Sequence, residues 1–137
     1  MAEQTHRYPC PCCGFPSLPT LIAATCSICW WEADGQDLPD DEVRGSPNSG
    51  YSLRQAQANF QKQGHMYDAG KATKYLTEGS EGRDRLLAYV NAIQHGQTNL
   101  DQAKLDRLIA EEREYWPWRK QVPDLEEQET MLRALLA

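Results

Sequence analysis

Beyond residue 51 the chain carries apolar side chains at helical spacing. Leu53, Ala56 and Phe60 fall on one face, and Ser52 followed three positions later by Gln55 has the spacing of a capping box. Gly64 supplies the stop. Ser80 can cap a second segment, striped by Leu86, Val90 and Ile93 and ended by Gly96. A third starts at Thr98 or Asn99, carries Leu105, Leu108 and Ile109, and is broken by Pro117 after Tyr115 and Trp116. Pro123 and Asp124 open a final amphipathic segment with Leu125, Leu132, Leu135 and Leu136. The predicted second half is helical.

The first 51 residues follow another logic. Residues 20–25 have the character of a short strand, and residues 32–51 have turn composition, with Gly35, Pro39, Gly45, Pro47, Asn48 and Gly50. What orders this half is cysteine. All five cysteines lie between Cys10 and Cys29, and an odd, clustered set argues against a disulfide framework. Cys10 with Cys13 and Cys26 with Cys29 make two C-x2-C units with twelve residues between them. Pro11 fixes one dihedral and Gly14 lets the backbone fold back, so that amide groups can donate to thiolate sulfur. Four thiolates around one ion form a closed structural zinc site with no open position, iron being the competing metal. Cys12 is left over, either as an inert knuckle residue or as a redox-sensitive or alternate ligand. The residues leave both open.

Composition sets the scale. With 137 residues, 40% of them hydrophobic, the chain is long enough for one domain with a real core. The expected fold is α+β. A small four-cysteine zinc ribbon with an acidic loop, residues 1–51, packs against a mostly α-helical region, residues 52–137. The two form one compact unit, because so small a ribbon has little core of its own. Residues 1–4 lack the basic patch and apolar stretch of a signal peptide, and residues 15–31 are too polar to span a bilayer. The expected setting is the cytoplasm, where thiols stay reduced, with no membrane partner.

Charge narrows the function. Twenty acids stand against fourteen bases, and six of those acids are Glu32, Asp34, Asp37, Asp40, Asp41 and Glu42, a stretch without Lys or Arg. This loop accounts for the whole net charge of −6. Zinc on four thiolates would bring the total to about −8. The stretch is either a solvated surface or a surface that steers a basic partner. The register of an EF-hand loop does not appear in it. Trp30 and Trp31, and Tyr115, Trp116 and Trp118, divide between core packing and exposed interface anchors; Trp31 is the expected anchor beside the acidic loop.

The string Tyr8-Pro9-Cys10-Pro11-Cys12-Cys13-Gly14, followed by Cys26-Ser27-Ile28-Cys29-Trp30-Trp31-Glu32-Ala33-Asp34-Gly35-Gln36-Asp37, resembles the bacterial cysteine-rich CPCC domain family. Pro47-Asn48 and the stretch from Ser52 to Phe60 continue the likeness, which covers about residues 8–65. Ala33 departs from it, standing where the family tends to place a second acid. The resemblance implies a small metal-binding domain, and for some such proteins an immunity role against secreted toxins.

Three functional classes follow. The first is a non-enzymatic zinc protein that binds another protein, in its specific form an immunity protein neutralising a basic toxin domain. Its metal ligands would be Cys10, Cys13, Cys26 and Cys29. Its contact residues would be Trp31 and the six acids of the loop. The second is a nucleic-acid-binding zinc ribbon. Arg7 is the one Lys or Arg within residues 1–31, so the basic patch that phosphate binding needs is missing and no nucleic-acid partner is expected. The third is a redox switch built on Cys12. His6, His65 and His95 are scattered, and no acid–base or nucleophile arrangement is readable.

Overall fold

The computed structural model describes residues 7–35, 38–46, 48, 50–117 and 133–135. Two short hairpins come first. Strand β1 (Tyr8–Pro9) pairs antiparallel with β2 (Pro16–Leu18), and β3 (Ile22–Thr25) pairs antiparallel with β4 (Glu32–Asp34). Each hairpin closes over one C-x2-C unit. The strand expected over residues 20–25 is present as β3, whereas β4 falls where the acids and Gly35 suggested only turns. Its irregular partner register, Ile22 with Asp34 but Ala24 with Ala33, coincides with Ala23 at φ 60°. One residue is thereby extruded from the ladder as a bulge.

Asn48 explains how so polar a strand is held. Its buried side chain donates from Nδ2 to Glu32 O at 2.7 Å and accepts from Glu32 N at 3.1 Å. One carboxamide thus completes the backbone pairing that a neighbouring strand would supply. Ala33, between the two half-exposed acids of β4, points inward and is buried, so a charged side chain there would be desolvated.

Four helices follow: α1 (Leu53–Gln63), α2 (Lys74–Glu78), α3 (Glu81–Gln94) and α4 (Gln102–Arg113). The capping box at Ser52 and Gln55 forms in both directions, and Gly64 closes α1 in the left-handed conformation at φ 79°. Ser80 caps α3 as expected. The third predicted helix begins later than expected, with Asp101 as its cap, and ends ahead of Pro117. Helix α2 was not anticipated. Residues 118–132, 136 and 137 lie outside the described residues, and with them Trp118 and most of the predicted final segment; Leu135 is exposed.

One apolar core joins the cysteines and Leu18, Ile28 and Trp31 of the hairpins to Leu53, Ala56, Phe60, Leu86, Val90, Leu105 and Ile109 of the helices. Among the described residues, no helix is long and apolar enough to cross a membrane.

Candidate metal centre

Each knuckle is a tight turn whose fifth residue is left-handed. In the first, Gly14 N donates to Cys10 O at 2.7 Å with Gly14 at φ 81°; in the second, Trp30 N donates to Cys26 O at 2.9 Å with Trp30 at φ 72°. Glycine takes this conformation freely. Tryptophan does so at a cost of about 1–2 kcal/mol. The turn directs both cysteines of its pair to the same side.

The four sulfurs of Cys10, Cys13, Cys26 and Cys29 all lie within 4.8 Å of one another. Cys10 Sγ is 3.5 Å from Cys29 Sγ, and Cys13 Sγ is 3.7 Å from Cys26 Sγ. A tetrahedral ion with sulfur at ~2.3 Å requires sulfur–sulfur edges of about 3.8 Å, so the donor set fits such an ion. Cys10, Cys13, Cys26 and Cys29 are 1%, 8%, 0% and 0% exposed, which closes the centre to solvent. Cys12 is not one of the four, yet it too is buried, at 6% exposure.

The sulfurs are unequal. Burial raises Cys26, but hydrogen bonds from Cys10, Cys13, Cys29 and Ser17 outweigh it and hold this thiol well below its ordinary range. Hydrogen bonding to Cys10 and Cys26 raises Cys13, and burial followed by Cys10, Cys12 and Cys13 raises Cys29. Ser17 Oγ lies 2.9 Å from Cys26 Sγ, and Ile28 N donates to the same sulfur at 3.3 Å. Cys26 is therefore the sulfur on which negative charge is best supported.

Helices and the segment after α1 brace both knuckles. Gln57 of α1 donates to Pro11 O at 2.9 Å, Arg113 of α4 to Ser27 Oγ at 3.2 Å, and Met66 N to Cys29 O at 2.9 Å. Arg83 of α3 is only 2% exposed and donates to Ser27 O, Ile28 O and Gly64 O. Glu112 of α4 is fully buried. It accepts from Trp116 Nε1 at 2.7 Å and from the Tyr75 hydroxyl at 2.5 Å. Burial, then Glu112, pushes the Tyr75 phenol up to about 12. Neither Arg83 nor Glu112 stood out in the sequence, where each is one more charged position in a helix.

These features coincide with a known family. The Cysteine-rich CPCC family matches residues 8–78, just over half of the chain. The chain belongs to the cysteine-rich CPCC family. The match runs past the resemblance seen over residues 8–65 to include α2, and it stops before α3 and α4. No curated protein and no solved structure matches the chain.

The expected contact residues of this CPCC protein are placed unevenly. Trp31 is 2% exposed, so it is a core residue and not an exposed anchor. Arg44 covers its ring at 5.6 Å, and its backbone oxygen accepts from Cys26 N at 2.9 Å. Trp30 is the more exposed of the two; it stacks on Tyr75 and meets Trp116 edge-on, with ring centroids 6.4 Å and 6.1 Å away. Glu32 and Asp34 are half-buried on β4, where Thr25 donates to Glu32 and Arg44 pairs with Asp34 at 3.4 Å. Asp40, Asp41 and Glu42 are exposed, and Asp41 pairs with Arg54. Asp37 lies outside the described residues. Asn59 of α1 donates to Met66 O and Asp68 Oδ1, each at 3.0 Å.

Proposed function

We propose that this CPCC protein is a non-enzymatic zinc protein in which the ion holds a scaffold for binding a protein partner. The burial of all four sulfurs carries this reading. A centre so enclosed has no position for a substrate or an attacking water, so its metal serves the fold and recognition falls to the surface. Zinc suits four thiolates without bringing redox chemistry. The surface assigned to this role is the exposed acidic turn at Asp40, Asp41 and Glu42, where Asp41 pairs with Arg54. It borders an open groove lined by Asp41, Val43, Ser52, Arg54, Gln55 and Ala58. A basic protein domain is the complementary partner, and neutralisation of a cationic toxin is the specific form of this function.

Metal content, association kinetics and a nucleic-acid titration test the proposal. Elemental analysis of the purified protein should give one zinc per chain, lost on replacing Cys26 by Ser and kept on replacing Cys12 by Ser. Replacing Asp40 and Asp41 by Asn and Glu42 by Gln should leave zinc content intact. Stability should change little, because the Asp41–Arg54 pair is exposed. Association with a partner pulled down from the native host should slow, and the wild-type rate should fall as salt rises. Iron in place of zinc corrects the metal. Specific, salt-sensitive binding to duplex DNA in a mobility-shift titration replaces the protein partner by nucleic acid.

A further inference from the structure

We propose that Arg83 is a positioning residue for the metal, setting the charge and hydrogen bonding of the second knuckle from a helix outside the family's matched segment. This rests on the zinc reading above. The Ser27–Ile28 peptide is the decisive unit. Its carbonyl, Ser27 O, accepts from Arg83 Nη1 at 3.3 Å, while its amide, Ile28 N, donates to Cys26 Sγ at 3.3 Å. One peptide plane thus lies between the guanidinium and a ligand sulfur. A cation drawing on the carbonyl polarises the amide, which strengthens the N–H···S bond.

The remaining donors fix the plane. Arg83 Nη2 donates to Ile28 O at 2.6 Å and to Gly64 O at 2.8 Å, tying the knuckle to the C-terminal cap of α1. Arginine's planar fork can serve carbonyls of two segments at once, which a lysine ammonium does with less defined geometry. Charge is the second contribution. Four thiolates on a dication leave −2 in a buried site, which is costly without a compensating cation nearby. Arg83 is that cation. Burial pulls its guanidinium below the ordinary value, while Glu112, Tyr75, Cys26 and Cys29 act in the opposite direction.

Zinc and cobalt(II) are the probes. The full-length wild type, Arg83→Met and Arg83→Lys are titrated with each metal against a competing chelator. Arg83→Met should bind zinc at least tenfold more weakly and release it faster. In the cobalt form, weakening the N–H···S bond leaves Cys26 more electron-rich, so the sulfur-to-cobalt charge-transfer band should move to lower energy. Arg83→Lys restores the charge but not the fork and should recover part of both losses. A role confined to packing would not move the band. Should Arg83→Met fail to fold, Arg83→Lys decides alone: about threefold weaker binding with a smaller band shift supports the proposal. Wild-type affinity and an unmoved band in every folded variant overturn it. A wild type that binds neither metal overturns it together with the zinc reading, whereas binding by the wild type with no effect at Arg83 overturns the inference only.

Discussion

Gly14 and Trp30 occupy the same place in their knuckles, and the difference between them shows how one backbone angle can direct a side chain. Both are left-handed, at φ 81° and 72°. Nothing stands within 4 Å of a Cβ at Gly14. At Trp30 the same turn sends an indole toward Tyr75 and Trp116, where it links the second knuckle to α2 and the end of α4. Replacing Trp30 by Gly would recover about 1 kcal/mol of backbone strain. It would also remove most of an aromatic side chain's packing, for which truncation of a fully buried ring costs about 3–5 kcal/mol. Since the ring is half-buried, the net expectation is a loss of about 2 kcal/mol in denaturant unfolding with zinc content unchanged. A Trp30→Gly protein as stable as wild type would mean that the ring's packing contributes no more than the strain takes away.

At the scale of elements, the contact between α3 and α4 depends on the absence of a side chain. A Cβ on Gly82 would stand 2.5 Å from Tyr115 Cδ2 and 3.0 Å from the Glu112 backbone. Helix propensity alone favours Ala over Gly by about 1 kcal/mol. Overpacking typically costs about 1–3 kcal/mol, and here one obstacle is backbone that cannot rotate away. Overpacking should win, and Gly82→Ala should lower the unfolding midpoint by the equivalent of about 1 kcal/mol or more; a raised midpoint would show that the helices can separate freely. This contact also marks where sequence reading stops. Helix α1 was legible from end to end, because Ser52, Gln55, Leu53, Ala56, Phe60 and Gly64 are local signals that agree with one another. Helix α2 has five residues, too few to show a period. Strand β4 was hidden because Asn48, not a strand of recognisable composition, completes its pairing. The clustering of Cys10, Cys13, Cys26 and Cys29 was legible from spacing. Arg83 was not, since its knuckle partners lie 55 and 56 positions away and Gly64 lies 19 away, and Trp31 was misplaced because adjacent tryptophans give no local sign of which one turns inward.

For the whole molecule, the question is whether the metal stabilises half of the chain or all of it. The four clustered cysteines belong to the same apolar core as Leu86, Val90, Leu105 and Ile109 of α3 and α4. Polar ties from Gln57, Arg83 and Arg113 cross from helices to knuckles. Gln102 Nε2 adds another by donating to Pro16 O at 3.1 Å. On the zinc reading proposed above, a structural ion contributes an apparent ~10–16 kcal/mol at neutral pH, whereas a typical domain is stable by only about 5–15 kcal/mol in total. A contribution that large cannot be withdrawn from a shared core while the other side of that core stays native. Adding a strong chelator should therefore remove the far-UV helical signal along with the ribbon, in one transition, and excess zinc should restore it. The melting temperature should rise with free zinc, as expected for an ion bound by the folded chain. Helices that melt at the same temperature with and without chelator, while the cysteines become reactive to a thiol reagent, would show instead that residues 53–113 fold without the metal and that the shared core is not cooperative.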